Sequence, residues 1–220
     1  MHKYGATAGL IEDTPDSRGS IFHCMLAEIM RWITGRREPE ITRHRIRGIE
    51  ILVDNTRPDV ATADVIARLE RCLALIERYV PHHFRHLGRD FAYIVVKRFA
   101  CRGAYFHEQR ACLVELTFTV NPTFTDAEVA ATILHEAMHA RLHQLGFPLE
   151  MEDRARQERF CRRAEIELGM LVPGGERVVE RARWTSDLSD EEVAPVIDPR
   201  IAAQRIADAD RAALQDNARP

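Results

Sequence analysis

Phe124-Thr-Asp-Ala-Glu-Val-Ala-Ala-Thr-Ile-Leu-His135-Glu136-Ala-Met-His139-Ala-Arg-Leu-His143-Gln-Leu-Gly146 reads as one helix with both of its ends written in. Thr125 and Glu128 have the spacing of a capping box, and Phe124 and Val129 that of a hydrophobic staple. Gly146 and Pro148 supply the stop. Val129, Ile133, Ala137 and Ala140 form an apolar stripe that predicts burial of the helix against a sheet.

Residues four apart on a helix lie about one turn apart on one face, so His135 and His139 can grip a single ion. Imidazole pairs of this kind suit zinc, Zn2+. Glu136 sits about 100° around the helix, where it reaches a water beside the metal rather than the metal itself. Zinc acidifies such a water, and Glu136 can take its proton and pass it to a leaving amine. The spacing is that of an H-E-x-x-H motif, with Glu136 as the general base and acid. The competing reading is a helix that carries histidines on its solvent side.

A catalytic zinc needs three protein ligands and an open position. No histidine follows His143. His143 itself lies about 12 Å along the axis from His135, too far to share an ion on a straight helix. Leu142 and Leu145 occupy the positions where a metzincin has Gly and His, which removes that pattern. The remaining candidates are the carboxylates Glu150, Glu152, Asp153, Glu158, Glu165 and Glu167. Glu158 follows His139 at a distance that lets the first helix end, the chain turn at Gly146 to Pro148, and a second helix return. Glu165 lies about two turns further on the same face. Glu158 is the expected third ligand and Glu165 the alternative; the one that does not bind, or His143, would orient an imidazole. Glu158 also stands among Arg154, Arg156, Arg159 and Arg162, where a solvated carboxylate is the plain reading.

Upstream, Ile49, Ile51 and Val53 alternate within Ile46–Val53 and predict a strand. Val65, Leu69, Cys72, Leu73 and Ile76 predict a helix over about 62–80, ended by Pro81. Phe91–Phe99 reads as a central strand. Cys112, Val114, Leu116, Phe118 and Val120 alternate with polar residues, which predicts an edge strand over Cys112–Val120 with one face wet. A charged helix is expected over about 151–168, a short one over 176–183, and another over 200–214. Ser20 caps an amphipathic helix over Ile21–Ile33, preceded by a loose tail and followed by a linker rich in arginine.

The 220-residue chain is 45% hydrophobic with a net charge of −3, which fits one soluble domain with extensions and gives no global pointer to nucleic acid. No segment reads as a membrane span or signal peptide. Five cysteines without a C-x-x-C pair argue for reduced thiols and a cytoplasmic location, although Cys101 and Cys112 could face each other across a hairpin. The expected organisation is an N-terminal extension over 1–44, a catalytic domain over 45–172, and an acidic, Ala-rich tail over 173–220 that is partly helical or disordered.

The order strand, helix, strand, edge strand, H-E-x-x-H helix, glutamate-bearing helix resembles the minimal core of gluzincin-type zinc metallopeptidases. His135-Glu-Ala-Met-His-Ala-Arg-Leu-His143, followed by Glu158-Arg-Phe-Cys-Arg-Arg-Ala-Glu165, is similar to the ImmA/IrrE-like branch, in which a ligand glutamate precedes a second glutamate by seven residues. The stretch from Arg102-Gly-Ala-Tyr105 to His139 is also similar to SprT-like proteases, but those use a downstream third histidine that is absent here. The resemblance implies an α+β, zincin-like fold with a small mixed sheet. It also implies a zinc-dependent peptidase that binds a protein or peptide substrate along the edge strand. An oxyanion needs a further donor, for which Tyr105 and His107 are candidates, with loop packing as their plain reading. The alternatives are a metal-binding regulatory or interaction protein of the same fold, and a zinc hydrolase acting on a different bond. Neither a nucleic acid nor a membrane partner is expected.

Overall fold

Arg47 and Gly48 both take positive φ, 49° and 84°, the pair of left-handed residues that closes a tight hairpin. They join β1 (Thr42–Ile46) to β2 (Ile49–Val53), with Ile46 opposite Ile49. β1 lies in what the sequence presents as an arginine-rich linker, because its inward residues are interleaved with Arg43 and Arg45. The computed structural model describes residues 41–148, 153–193 and 198–216. The helix expected over 21–33, the tail before it, Cys24, Glu150 and Glu152 lie outside the described residues.

From β2 the chain crosses through α1 (Thr62–Tyr79) and α2 (Pro81–Asp90) to β3 (Tyr93–Lys97), which pairs parallel to β2. All five apolar residues expected to face inward on α1 are buried. Pro81 does end α1, but it also begins α2, since a missing N–H costs nothing in a first helical turn. β4 (Gly103–Phe106) and β5 (Ala111–Glu115) follow, and the sheet runs β1-β2-β3-β5-β4. β5 is parallel to β3 and antiparallel to β4. The architecture is therefore α+β around a five-stranded mixed sheet, with β3 at its centre as expected.

The expected edge strand over 112–120 is corrected. β5 stops at Glu115, every one of its residues is buried, and it lies inside the sheet; residues Leu116–Val120 form a short helix, α3. The cause is local. The Glu115 carboxylate accepts from the Phe118 amide at 2.6 Å and from the Thr117 hydroxyl at 2.7 Å, which caps a helical turn where the alternating pattern alone reads as strand. The edge next to the motif helix is β4, which falls in the loop that the sequence leaves unassigned. Cys112 stands across from Tyr105 rather than Cys101, and Cys72, Cys101, Cys112 and Cys161 are all free thiols.

α4 (Asp126–Gln144) is the motif helix, and both halves of its capping box are formed. It packs against α1, α2, β4 and β5, and against α5 (Arg154–Leu171). Ile51, Ile94, Val96, Val114, Leu69, Leu73, Ile133 and Leu134 belong to the central core between sheet and helices. α6 (Glu176–Ser186) packs on α5, α7 (Asp190–Val193) lies beside the start of α5, and α8 (Pro199–Asp216) is tied down where Asp210 pairs with Arg57 and Arg98. Among the described residues no helix is long and apolar enough to cross a membrane.

Candidate metal centre

α4 is buried on nearly every side, so its polar residues are held in place by packing as well as by hydrogen bonds. His135 and Glu136 are both buried, while His139 keeps partial access to solvent. Gly146, at φ 81°, ends the helix by turning the chain in a conformation that side chains disfavour. Gln157 then donates to the Pro148 carbonyl at 2.6 Å, which fastens the first turn of α5 to the exit of α4. α5 thereby carries Glu158 back to the two histidines.

Three side chains converge. His135 Nε2 lies 3.2 Å from Glu158 Oε2, His139 Nε2 lies 3.4 Å from Glu158 Oε1, and the two Nε2 atoms are 3.2 Å apart. A tetrahedral zinc with ligand bonds near 2.0–2.1 Å spaces its ligand atoms about 3.3 Å apart, which the two Nε2 atoms match, while the Glu158 carboxylate faces both rings with one oxygen toward each. The donor set, two imidazoles and one carboxylate, is the kind that leaves a fourth position open.

Glu165 reaches the opposite nitrogen of the same ring. Its carboxylate accepts from His135 Nδ1 at 2.6 Å, from Arg162 at 2.6 Å and from Arg181 at 3.1 Å. With a cation on Nε2, that contact would hold the proton on Nδ1 and leave Nε2 aimed toward His139 and Glu158. Of the two carboxylates left open by the sequence, Glu158 faces the shared Nε2 side and Glu165 the Nδ1 side. Burial alone would raise both carboxyls, yet hydrogen bonds from the histidines hold Glu158 well below the usual range. Burial is outweighed for Glu165 too, where the His135 hydrogen bond and the two arginines hold it at about 2. Burial likewise pulls the His135 imidazole down, but hydrogen bonds to Glu158 and Glu165 outweigh it and push the ring up to about 10. The site therefore calls for positive charge, which a proton or a divalent cation can supply.

Glu136 is buried, and burial pushes its carboxyl upward. Its position depends on the edge strand: a Cβ on Gly103 would fall 2.8 Å from Glu136 Oε1 and 2.7 Å from Thr132 Cγ2. Only a glycine lets β4 run this close to the acid. Cys161, one turn beyond Glu158 on α5, presents its sulfur within 4.8 Å of ring nitrogens of His135 and His139. Burial and the surrounding carboxylates push this thiol far up, which keeps it neutral.

The other expected site residues form a separate cluster. The Tyr105 hydroxyl is 3.3 Å from His143 Nδ1, and the His107 ring meets the His143 ring edge-on at 5.8 Å. Among the described contacts, none of the three touches His139, Glu136 or Glu158, so neither the assignment of Tyr105 and His107 as oxyanion donors nor an orienting role for His143 gains geometric support. The sequence reading missed Cys161, Arg162 and Arg181. Arg162 stands four residues after Glu158 and three before Glu165, a spacing that reads as an ion-pair helix face until the fold turns that face inward. Comparison with protein-family models, with curated proteins and with solved structures finds no match to this chain.

Proposed function

We propose that the chain is a zinc-dependent peptidase with His135, His139 and Glu158 as metal ligands and Glu136 as general base and acid. The observation that carries this reading is the convergence of two imidazole nitrogens and the Glu158 carboxylate, at 3.2–3.4 Å, beside a buried glutamate, with Glu165 on the far nitrogen of His135. Zinc held there by His135, His139 and Glu158 would supply a Lewis acid that polarises a carbonyl and acidifies water. Glu136 would accept a proton from the attacking water and return it to the departing amine nitrogen. β4, antiparallel to β5 and at the rim of the sheet, has an edge that no other strand pairs with among the described residues, to which an extended peptide can add as a strand. Gly103 keeps that edge close to Glu136. The arrangement of sheet edge, motif helix and returning glutamate helix supports the gluzincin resemblance, and the lack of any paired cysteine among the described residues suits a cytoplasmic enzyme.

A second reading has one observation in its favour. The sulfur of Cys161 beside the two histidines could complete a closed, four-ligand site of the structural kind, in a regulatory or interaction protein. The two readings separate in one experiment. Glu136→Gln should retain the zinc that Glu158→Ala removes and lose at least a hundredfold in hydrolysis of a fluorogenic peptide library. Wild-type protein that carries zinc yet shows no turnover distinguishable from Glu136→Gln would support the binding protein instead.

A further inference from the structure

We infer that the chain has a second divalent-metal site of the zinc class, formed by His82, His83 and Glu167 and distinct from the centre on α4. His82 and His83 lie in the first turn of α2, and Glu167 lies in the last turns of α5. His82 Nε2 is 3.3 Å from Glu167 Oε1 and His83 Nε2 is 3.2 Å from Glu167 Oε2. The ligand atoms of all three residues fall within 4.8 Å of one another. Each imidazole meets its own oxygen of the Glu167 carboxylate, so a single cation can sit between the two rings and that carboxylate.

A single imidazole–carboxylate contact is an ordinary ion pair; here two neighbouring imidazoles converge on one carboxylate. Adjacent helical residues point about 100° apart, so their rings have no intrinsic reason to meet. Yet the ring centroids are 4.2 Å apart. Two imidazolium ions at that spacing repel, whereas two neutral rings sharing one cation do not. Neutral rings with free Nε2 lone pairs are what a soft divalent cation requires. Glu167 also differs from Glu165. Its oxygens meet these two imidazoles among the described contacts, whereas Glu165 is charge-matched by two arginines. A cation would supply the missing positive charge. His82 and Glu167 are half-exposed, so water can fill the remaining coordination positions.

Glu167 stands nine residues after Glu158 on α5, which puts the two side chains on opposite faces of that helix. An ion at the second site would therefore clamp α2 to the helix that carries Glu158 without entering the α4 centre. The two sites are separable by mutation, and this inference does not depend on the peptidase reading.

The test uses the full chain, with zinc content followed by equilibrium dialysis against buffered zinc and elemental analysis. Wild type is expected to bind two equivalents below millimolar free zinc, and Glu158→Ala one. His83→Ala and Glu167→Gln should each bind one, and Glu158→Ala combined with His83→Ala none. Circular dichroism of the single variants, unchanged from wild type, would show that the lost equivalent is not lost folding. The assignment is overturned if wild type binds only one equivalent that Glu158→Ala removes. It is equally overturned if a second equivalent persists in both His83→Ala and Glu167→Gln, or if binding there needs millimolar zinc.

Discussion

Replacing Glu165 separates a group that holds a ligand from the ligand itself. This side chain is 1% exposed and carries the charge that opposes Arg162, Arg181 and the His135 ring. In Glu165→Gln the amide oxygen can still accept from Nδ1, but the negative charge is gone; in Glu165→Ala both are lost. Removing one partner of a buried ion pair costs about 3–5 kcal/mol when the other charge stays buried. Arg162 and Arg181 keep 18% and 27% of their side-chain exposure, which places the cost near the lower end, about 3 kcal/mol. For a chain of this size that lowers the unfolding midpoint by ~6–12 °C. Loss of a carboxylate behind a metal-binding histidine weakens metal affinity by about 10–100-fold. We expect Glu165→Gln near the lower figure and Glu165→Ala near the upper. Competition of zinc against a chromophoric chelator reads the affinity, and calorimetry reads the midpoint. If Glu165→Ala leaves zinc affinity within twofold of wild type, the orienting role is wrong. If Glu165→Gln loses zinc as completely as Glu158→Ala, Glu165 is itself a ligand.

Cys161→Ala should keep the zinc equivalent that Glu158→Ala removes, with affinity within about tenfold of wild type, because an open three-ligand site would not need the sulfur; loss of that equivalent on dialysis would instead identify a closed site. Gly103→Ala places a methyl within 3 Å of both Glu136 and Thr132. It should cost about 1–3 kcal/mol of stability and at least tenfold in peptide hydrolysis while zinc is retained, and unchanged turnover would detach β4 from the position of Glu136. Thr125→Ala breaks the capping box at the start of α4 and should destabilise by about 1–2 kcal/mol in urea unfolding, with no change in zinc stoichiometry.

The motif helix could be read almost whole from the sequence, since everything that defines it is local. Thr125, Glu128 and Gly146 act within a turn of their own positions, and the four-residue spacing of His135 and His139 follows from helix pitch alone. The buried face of α1 and the central place of β3 were legible for the same reason: apolar period and strand length are chain-local properties. The third ligand was narrowed by spacing to Glu158 or Glu165, and spacing could go no further, because two turns of helix return both to one face. Which carboxylate meets Nε2 and which meets Nδ1 depends on how α5 slides and rotates against α4, a matter of interhelical packing.

The tertiary structure also decided the edge of the sheet. The alternation over 112–120 has the period of a strand, but a side-chain cap at Glu115 and parallel pairing with β3 made the first half interior and the second half helical. β4 has no such pattern, because its role depends on a glycine that lets backbone approach Glu136, and an absent side chain leaves no periodic mark. The pairing of His82 and His83 with Glu167 joins residues more than eighty positions apart, and no local rule connects them. By itself the sequence determined the histidine pair on one helix face, the acid beside it and the helix that presents them, since those are set by bonds within a few residues. Only the fold decided which imidazole nitrogen Glu158 and Glu165 each meet, the strand beside the acid and the charges behind the ring, since those are set by surfaces that meet only when distant segments pack.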